Sequence, residues 1–140
     1  MLDVLTATQV RHFADAVLCL HIAVVAFVVF GQLAILGGGA TGLNWVRDFK
    51  FRAAHLGLIV FIAVQTSLGQ ICPLTKLETF LRLRAGEQGY TESFTQHWLA
   101  PLIFFDAPWW TFVALHSFVA VVVVGSWWVF PPTWPRAVAR

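Results

Sequence analysis

The sequence predicts an all-α integral membrane protein. The expected fold is a three-helix bundle with a surface amphipathic helix and a short re-entrant or interfacial helix between spans two and three. Three observations carry this. The 140 residues are 59% hydrophobic and only 11% charged, whereas a soluble domain carries about a quarter charged residues. A chain this short cannot bury so much apolar surface in a water-soluble core. Three apolar stretches are long enough to cross hydrocarbon, and seven Trp with thirteen Phe suit a protein anchored at lipid interfaces.

The spans fall at about 13–36, 53–71 and 109–130 of one membrane domain covering 1–140. Span one has an uncharged core from Val17 to Leu36, and Gly37-Gly38-Gly39 is expected to end it, because consecutive glycines continue a helix at a cost. Asp3 and Asp15 around Arg11, and the length of the apolar run, argue against a cleaved signal peptide. The connection that follows holds Asn44, Arg47, Asp48, Lys50 and Arg52, with Trp45 and Phe49 as interfacial anchors. Span two is barely long enough to cross, and Pro73 is expected to stop it.

A polar shelf lies at about 75–105. Thr75-Lys76-Leu77-Glu78 matches a capping box. Leu77, Phe80 and Leu81 share a helical face, with Lys76, Arg82 and Arg84 largely elsewhere and Gly86 as the stop. This predicts a helix on the membrane surface, or one packed on the bundle. A second short helix is expected from Ser93 through Trp98–Phe105. That run is too short to span, and Pro101 kinks it; a four-span topology would need it to cross. Asp106 as N-cap and Pro108 in the first turn restart a helix. Trp109, Trp110, Trp127 and Trp128 mark the ends of span three, and Pro131-Pro132 stops it.

Three spans put the termini on opposite sides. Arg47, Lys50, Arg52, Arg136 and Arg140 share one side; Arg11, Lys76, Arg82 and Arg84 share the other. This slight basic excess favours a cytoplasmic loop and C-terminus in a bacterial plasma membrane. A net charge of +2 without a long basic run excludes nucleic acid as a partner class.

Four strings carry a family resemblance: Leu20-His21 leading into Ala23–Gly31; Ile71-Cys72-Pro73-Leu74-Thr75-Lys76-Leu77-Glu78; Ala85-Gly86-Glu87-Gln88-Gly89-Tyr90; and Gln96-His97-Trp98-Leu99-Ala100-Pro101-Leu102-Ile103. Together they resemble the bacterial membrane-protein family called domain of unknown function 2784, over about Asp15 to Phe130. The glycine-rich first loop and aromatic last span are the main departures. The resemblance implies a small polytopic inner-membrane protein and no established activity.

Polar groups inside a membrane are costly, so each is a functional candidate. Counted at about 1.5 Å per residue, His21 lies roughly 12 Å inside from Phe13 and His116 roughly 10 Å inside from Trp109. Gln65 reaches a similar depth from Cys72. One polar side chain from each span can therefore meet at one level, while His55 sits near the opposite surface. His21 and His116 would suit axial ligation of a b-type haem, or a copper or zinc ion, with Gln65 beside them. Alternatively all three hydrogen-bond between helices. Cys72, Thr75, Glu78 and His97 form a second cluster at the membrane surface. Cys72, Glu78 and His97 could hold a metal, and Cys72 with His97 could form a nucleophile–base pair, though Thr75 and Glu78 have a ready structural role as a cap. A Cys19–Cys72 disulfide competes with two free thiols. No phosphate loop, HExxH, serine elbow or CxxCH is present.

These readings lead to three function classes. The first is an accessory or scaffolding subunit packed against a larger membrane complex or copies of itself, with Ala53-xxx-Gly57 as a faint packing signal. The second is a haem- or metal-binding electron-transfer protein using His21 and His116. The third is a membrane enzyme or redox sensor centred on Cys72 and His97.

Overall fold

The computed structural model describes residues 6–89, 97 and 108–134. Among these, the chain forms four α-helices and no strand: α1 (Ala7–Ala40), α2 (Phe49–Ser67), α3 (Pro73–Arg84) and α4 (Trp109–Val129), with a 3-10 turn at Trp45–Arg47. α1, α2 and α4 are long and apolar enough to cross a membrane. The Trp98–Phe105 run and Asp106 lie outside the described residues.

α1 begins earlier than the hydropathy suggests. Thr6 and Gln9 form a reciprocal capping box, which satisfies free amides at the helix start. At 34 residues, α1 measures about 51 Å, longer than the roughly 30 Å of a bilayer's hydrocarbon core. Besides Gln32, which is buried next to it, the inward seam of α1 consists of Val10, Ala14, His21, Val28, Gly31, Ile35 and Gly38, with Val17 and Val24 half-buried between them. These nine positions alternate steps of four and three, the repeat of a coiled-coil seam. One stripe thus serves two partners. Near the N-terminus Val10 and Ala14 pack with Leu81 of α3. Deeper in the bundle Val28 packs with Ile59 of α2 and Val123 of α4.

Several boundaries differ from the sequence expectation. α1 runs through Gly37-Gly38-Gly39 instead of ending there. The missing side chains serve close packing: a Cβ on Gly38 would lie 2.8 Å from Val46 Cγ1, and one on Gly39 would lie 2.6 Å from Phe130 Cγ. The helix ends at Ala40, where Gly42 turns to φ 79 and the Leu43 amide donates to the Gly38 carbonyl at 2.8 Å, a Schellman closure.

α2 starts at Phe49, capped by the Asp48 carboxylate accepting from the Phe51 amide at 3.1 Å. Arg52, read from sequence as a loop residue, is therefore in its first turn. The helix stops at Ser67, before Pro73 can act. Gly69 and Gln70 return their amides to Thr66 and Gln65 in a second Schellman closure.

α3 starts with Cys72 as N-cap and Pro73 in the first turn. The expected Thr75–Glu78 capping box does not form. Both residues fall inside the helix, buried against its neighbours. The predicted apolar face divides: Leu81 is buried, while Leu77 and Phe80 stay exposed beside Leu83. α3 thus docks on α1 through Thr75, Glu78 and Leu81 and leaves an apolar flank outward, the arrangement of an interfacial helix. α4 takes Pro108 as its N-cap residue, in extended geometry, rather than within its first turn. Beyond α4, the Thr133 amide and Arg47 Nε bind the Arg47 and Pro131 carbonyls respectively, at 2.7 and 3.0 Å. The tail is strapped to the first loop.

Candidate functional site

The three polar side chains placed at a common depth by sequence face one cavity. His21, Gln65 and His116 line one cavity of about 250 Å³ between α1, α2 and α4. Cys72 and Gln70 close the end facing α3, and Phe61, Phe112 and Trp109 contribute apolar wall. His21 sits on the α1 seam, which turns it inward. Trp109 Nε1 donates to the Thr66 carbonyl at 3.2 Å, fixing the start of α4 against the end of α2.

The chemistry of the cleft follows from its hydrogen bonds. His116 Nδ1 lies 2.7 Å from the Phe112 carbonyl. A carbonyl only accepts, so Nδ1 donates the proton, and in the neutral ring Nε2 keeps its lone pair. Gln65 adds an amide, both donor and acceptor. Thr66, Gln70 and Cys72 are the other polar residues of the lining, and the rest is mostly apolar, the composition of a ligand pocket with few orienting polar groups.

The second sequence cluster is only partly assembled. Glu78 is fully buried on α3. His97 is half-buried and, like Glu78, does not line the cleft. Among the described residues no three His, Cys, Asp or Glu side chains converge as a metal site. Cys19 and Cys72 are free thiols, Cys19 exposed and Cys72 half-buried.

An ion network ties α3 to α1. Arg82 donates to Glu78 at 2.9 Å, to Glu87 at 3.0 Å and to Asp15 at 3.3 Å, and Arg11 pairs with Glu87. Burial works against the Arg82 charge, but its bonds to Glu78 and Glu87 outweigh that and hold its pKa above the ordinary value. The Arg82 hydrogen bond, with Arg11 behind it, draws the Glu87 carboxyl below its ordinary range.

Sequence reasoning missed a third polar group, at the opposite end of the spans. Gln32, Arg52, His55 and Ser126 are all buried. His55, placed by sequence towards the opposite membrane surface from His21 and His116, is enclosed by protein and donates from Nε2 to the Val28 carbonyl at 2.9 Å. Arg52, His55, Ile59 and Thr66 are the inward positions of α2. Their helical spacing was a usable signal once the helix is started before Arg52.

The profile of the family described as "Protein of Unknown function (DUF2784)" matches residues 11–132. The chain belongs to that family. Within this DUF2784 chain the match covers α1 from Arg11, both clusters and all of α4. No curated protein and no solved structure matches it.

Proposed function

We propose that this DUF2784 protein is a non-catalytic membrane component that holds the polar head of a small, mainly apolar ligand in the cleft between α1, α2 and α4. The observation that carries this reading is that His21, Gln65 and His116, one from each of three helices, line one mainly apolar cleft. A ligand with a hydroxyl beside a carbonyl suits the groups present. His116 Nε2 would accept from the hydroxyl, and the Gln65 amide would donate to the carbonyl. At about 250 Å³ the cleft falls just below the roughly 300–1,000 Å³ of pockets that enclose a whole drug-sized ligand. That size suits a headgroup whose tail stays in lipid. The protein would act beside larger membrane machinery, and the exposed apolar faces of α1 and α4 suit contact with lipid or partner helices.

A second reading, haem or metal ligation by His21 and His116, is favoured by their shared cleft and by the Nδ1 bond that leaves His116 Nε2 as a ligand atom. The cavity volume favours the headgroup. Purified protein decides between them. Organic extraction followed by mass spectrometry should recover an apolar compound that His116→Phe loses by about tenfold or more, the cost of a lost buried hydrogen bond. Equal recovery from the variant would refute the proposal. A Soret band in the reduced-minus-oxidised spectrum, abolished in His21→Ala, would replace it with haem ligation.

A further inference from the structure

We infer that Arg52 is the centre of a second binding site, one for the phosphate of an anionic membrane lipid on the face opposite α3. Arg52 is only 1% exposed. Its Nη2 donates to Ser126 Oγ at 3.2 Å, and Trp127 lies over the guanidinium at 5.6 Å. Neither neighbour is an anion. Its Nε and Nη1 are buried with no hydrogen-bond partner among the described residues.

A buried cation without a counter-charge is strongly destabilising, and arginine does not escape by losing its proton. The nearest candidate in sequence, Asp48, is engaged in capping Phe51 and forms no ion pair with Arg52 among the described residues. Arg47 and Lys50 add further positive charge to the same end. The compensating anion must therefore come from outside the described chain.

Depth and surroundings identify its class. Arg52 is three residues past the start of α2 at Phe49, or roughly 5 Å along the helix. That is the headgroup boundary of a spanning helix. The aromatic residues around it, Phe49 stacked on Trp134 at 4.5 Å and edge-on to Trp127 at 6.2 Å, are those of an interfacial belt. Basic pockets between spans at this level recognise anionic headgroups, and a phosphate offers acceptor oxygens to the two orphan donors. Gln32 carries the same signature on the facing helix, with both amide atoms buried and unpartnered. The strap from Pro131 and Thr133 to Arg47 holds the end of α4 beside this group.

Native mass spectrometry of the full chain, with phosphatidylglycerol or phosphatidylcholine added to the micelles, tests the site. Wild type should retain phosphatidylglycerol in preference. Arg52→Gln should retain it about tenfold less, whereas Lys50→Gln, altering an exposed charge at the same end, should retain most of it. Equal retention by Arg52→Gln and wild type overturns the proposal, as does equal loss in Lys50→Gln, which would mean general surface charge. Should Arg52→Gln fail to fold, wild type alone remains informative. Its unfolding temperature should rise with phosphatidylglycerol, because a ligand of the folded state stabilises it; no rise overturns the proposal. Displacement of the lipid by millimolar inorganic phosphate, with equal stabilisation, would assign the site to free phosphate and overturn the lipid source.

Discussion

Arg82 touches three carboxylates, Asp15 on α1, Glu78 on α3 and Glu87 just beyond α3, and one of them, Glu78, has no exposed surface. Removing one partner of a buried ion pair leaves a charge that water cannot reach, at a cost of about 3–5 kcal/mol. Arg82→Gln is therefore expected to destabilise the protein by about 3 kcal/mol, read from unfolding in mixed micelles. Adding Glu78→Gln should restore part of the loss, since a neutral amide needs no counter-ion. A double variant as unstable as the sum of the singles would show that the two charges do not interact. At this scale the sequence was legible where depth alone decides. His21, Gln65 and His116 could be set at one level by counting residues, because a helix converts position into distance at a fixed rate. Arg52 was hidden for the same reason. One misplaced helix start put it in a loop, where a basic residue needs no explanation.

Whole elements were legible in existence but less so at their ends. Three apolar runs gave three spanning helices; the boundaries followed hydrogen bonds and packing that hydropathy does not encode. The glycine triplet in α1 is the clearest case. Read by propensity it is a stop, yet the bundle uses Gly38 and Gly39 for contact with Val46 and Phe130. Their neighbour Gly37 faces open space. Two alanine substitutions on one helical turn should thus act in opposite directions. Gly37→Ala should stabilise by up to about 1 kcal/mol, since alanine is the better helix former. Gly39→Ala should destabilise by about 1–3 kcal/mol, because the Phe130 ring must move aside. Both are measured by reversible unfolding in the same micelles, and a stabilised Gly39→Ala would mean that Phe130 does not pack there. The capping motif at Thr75–Glu78 misled in the converse way. Its pattern is right for a cap, but Pro73 already starts the helix two residues earlier, and this turns both side chains onto α1.

The molecule as a whole has two packing centres on one long helix, and they differ in what holds them. Val28, Ile59 and Val123 join the three spans by apolar contact, which no change of pH disturbs. The α1–α3 corner has a small apolar centre of Val10, Ala14 and Leu81 and depends on the network of Arg11, Asp15, Glu78, Arg82 and Glu87. Glu87 has a folded pKa below its ordinary value. Its contribution is therefore complete above the ordinary glutamate range and is lost as pH falls through the folded value. Acid should loosen the corner first and leave the spans assembled. Hydrogen exchange stepped downward from neutral pH, corrected for the intrinsic rate at each pH, should show α3 amides losing protection before those of α2 and α4. Glu87→Gln should remove much of that pH dependence while lowering α3 protection at neutral pH. Simultaneous loss in all helices would mean that the corner and the spans form one cooperative unit. Because His21 stands on the α1 seam between the two centres and lines the cleft, release of α3 would also loosen the cleft wall, so ligand retention should fall over the same acid range.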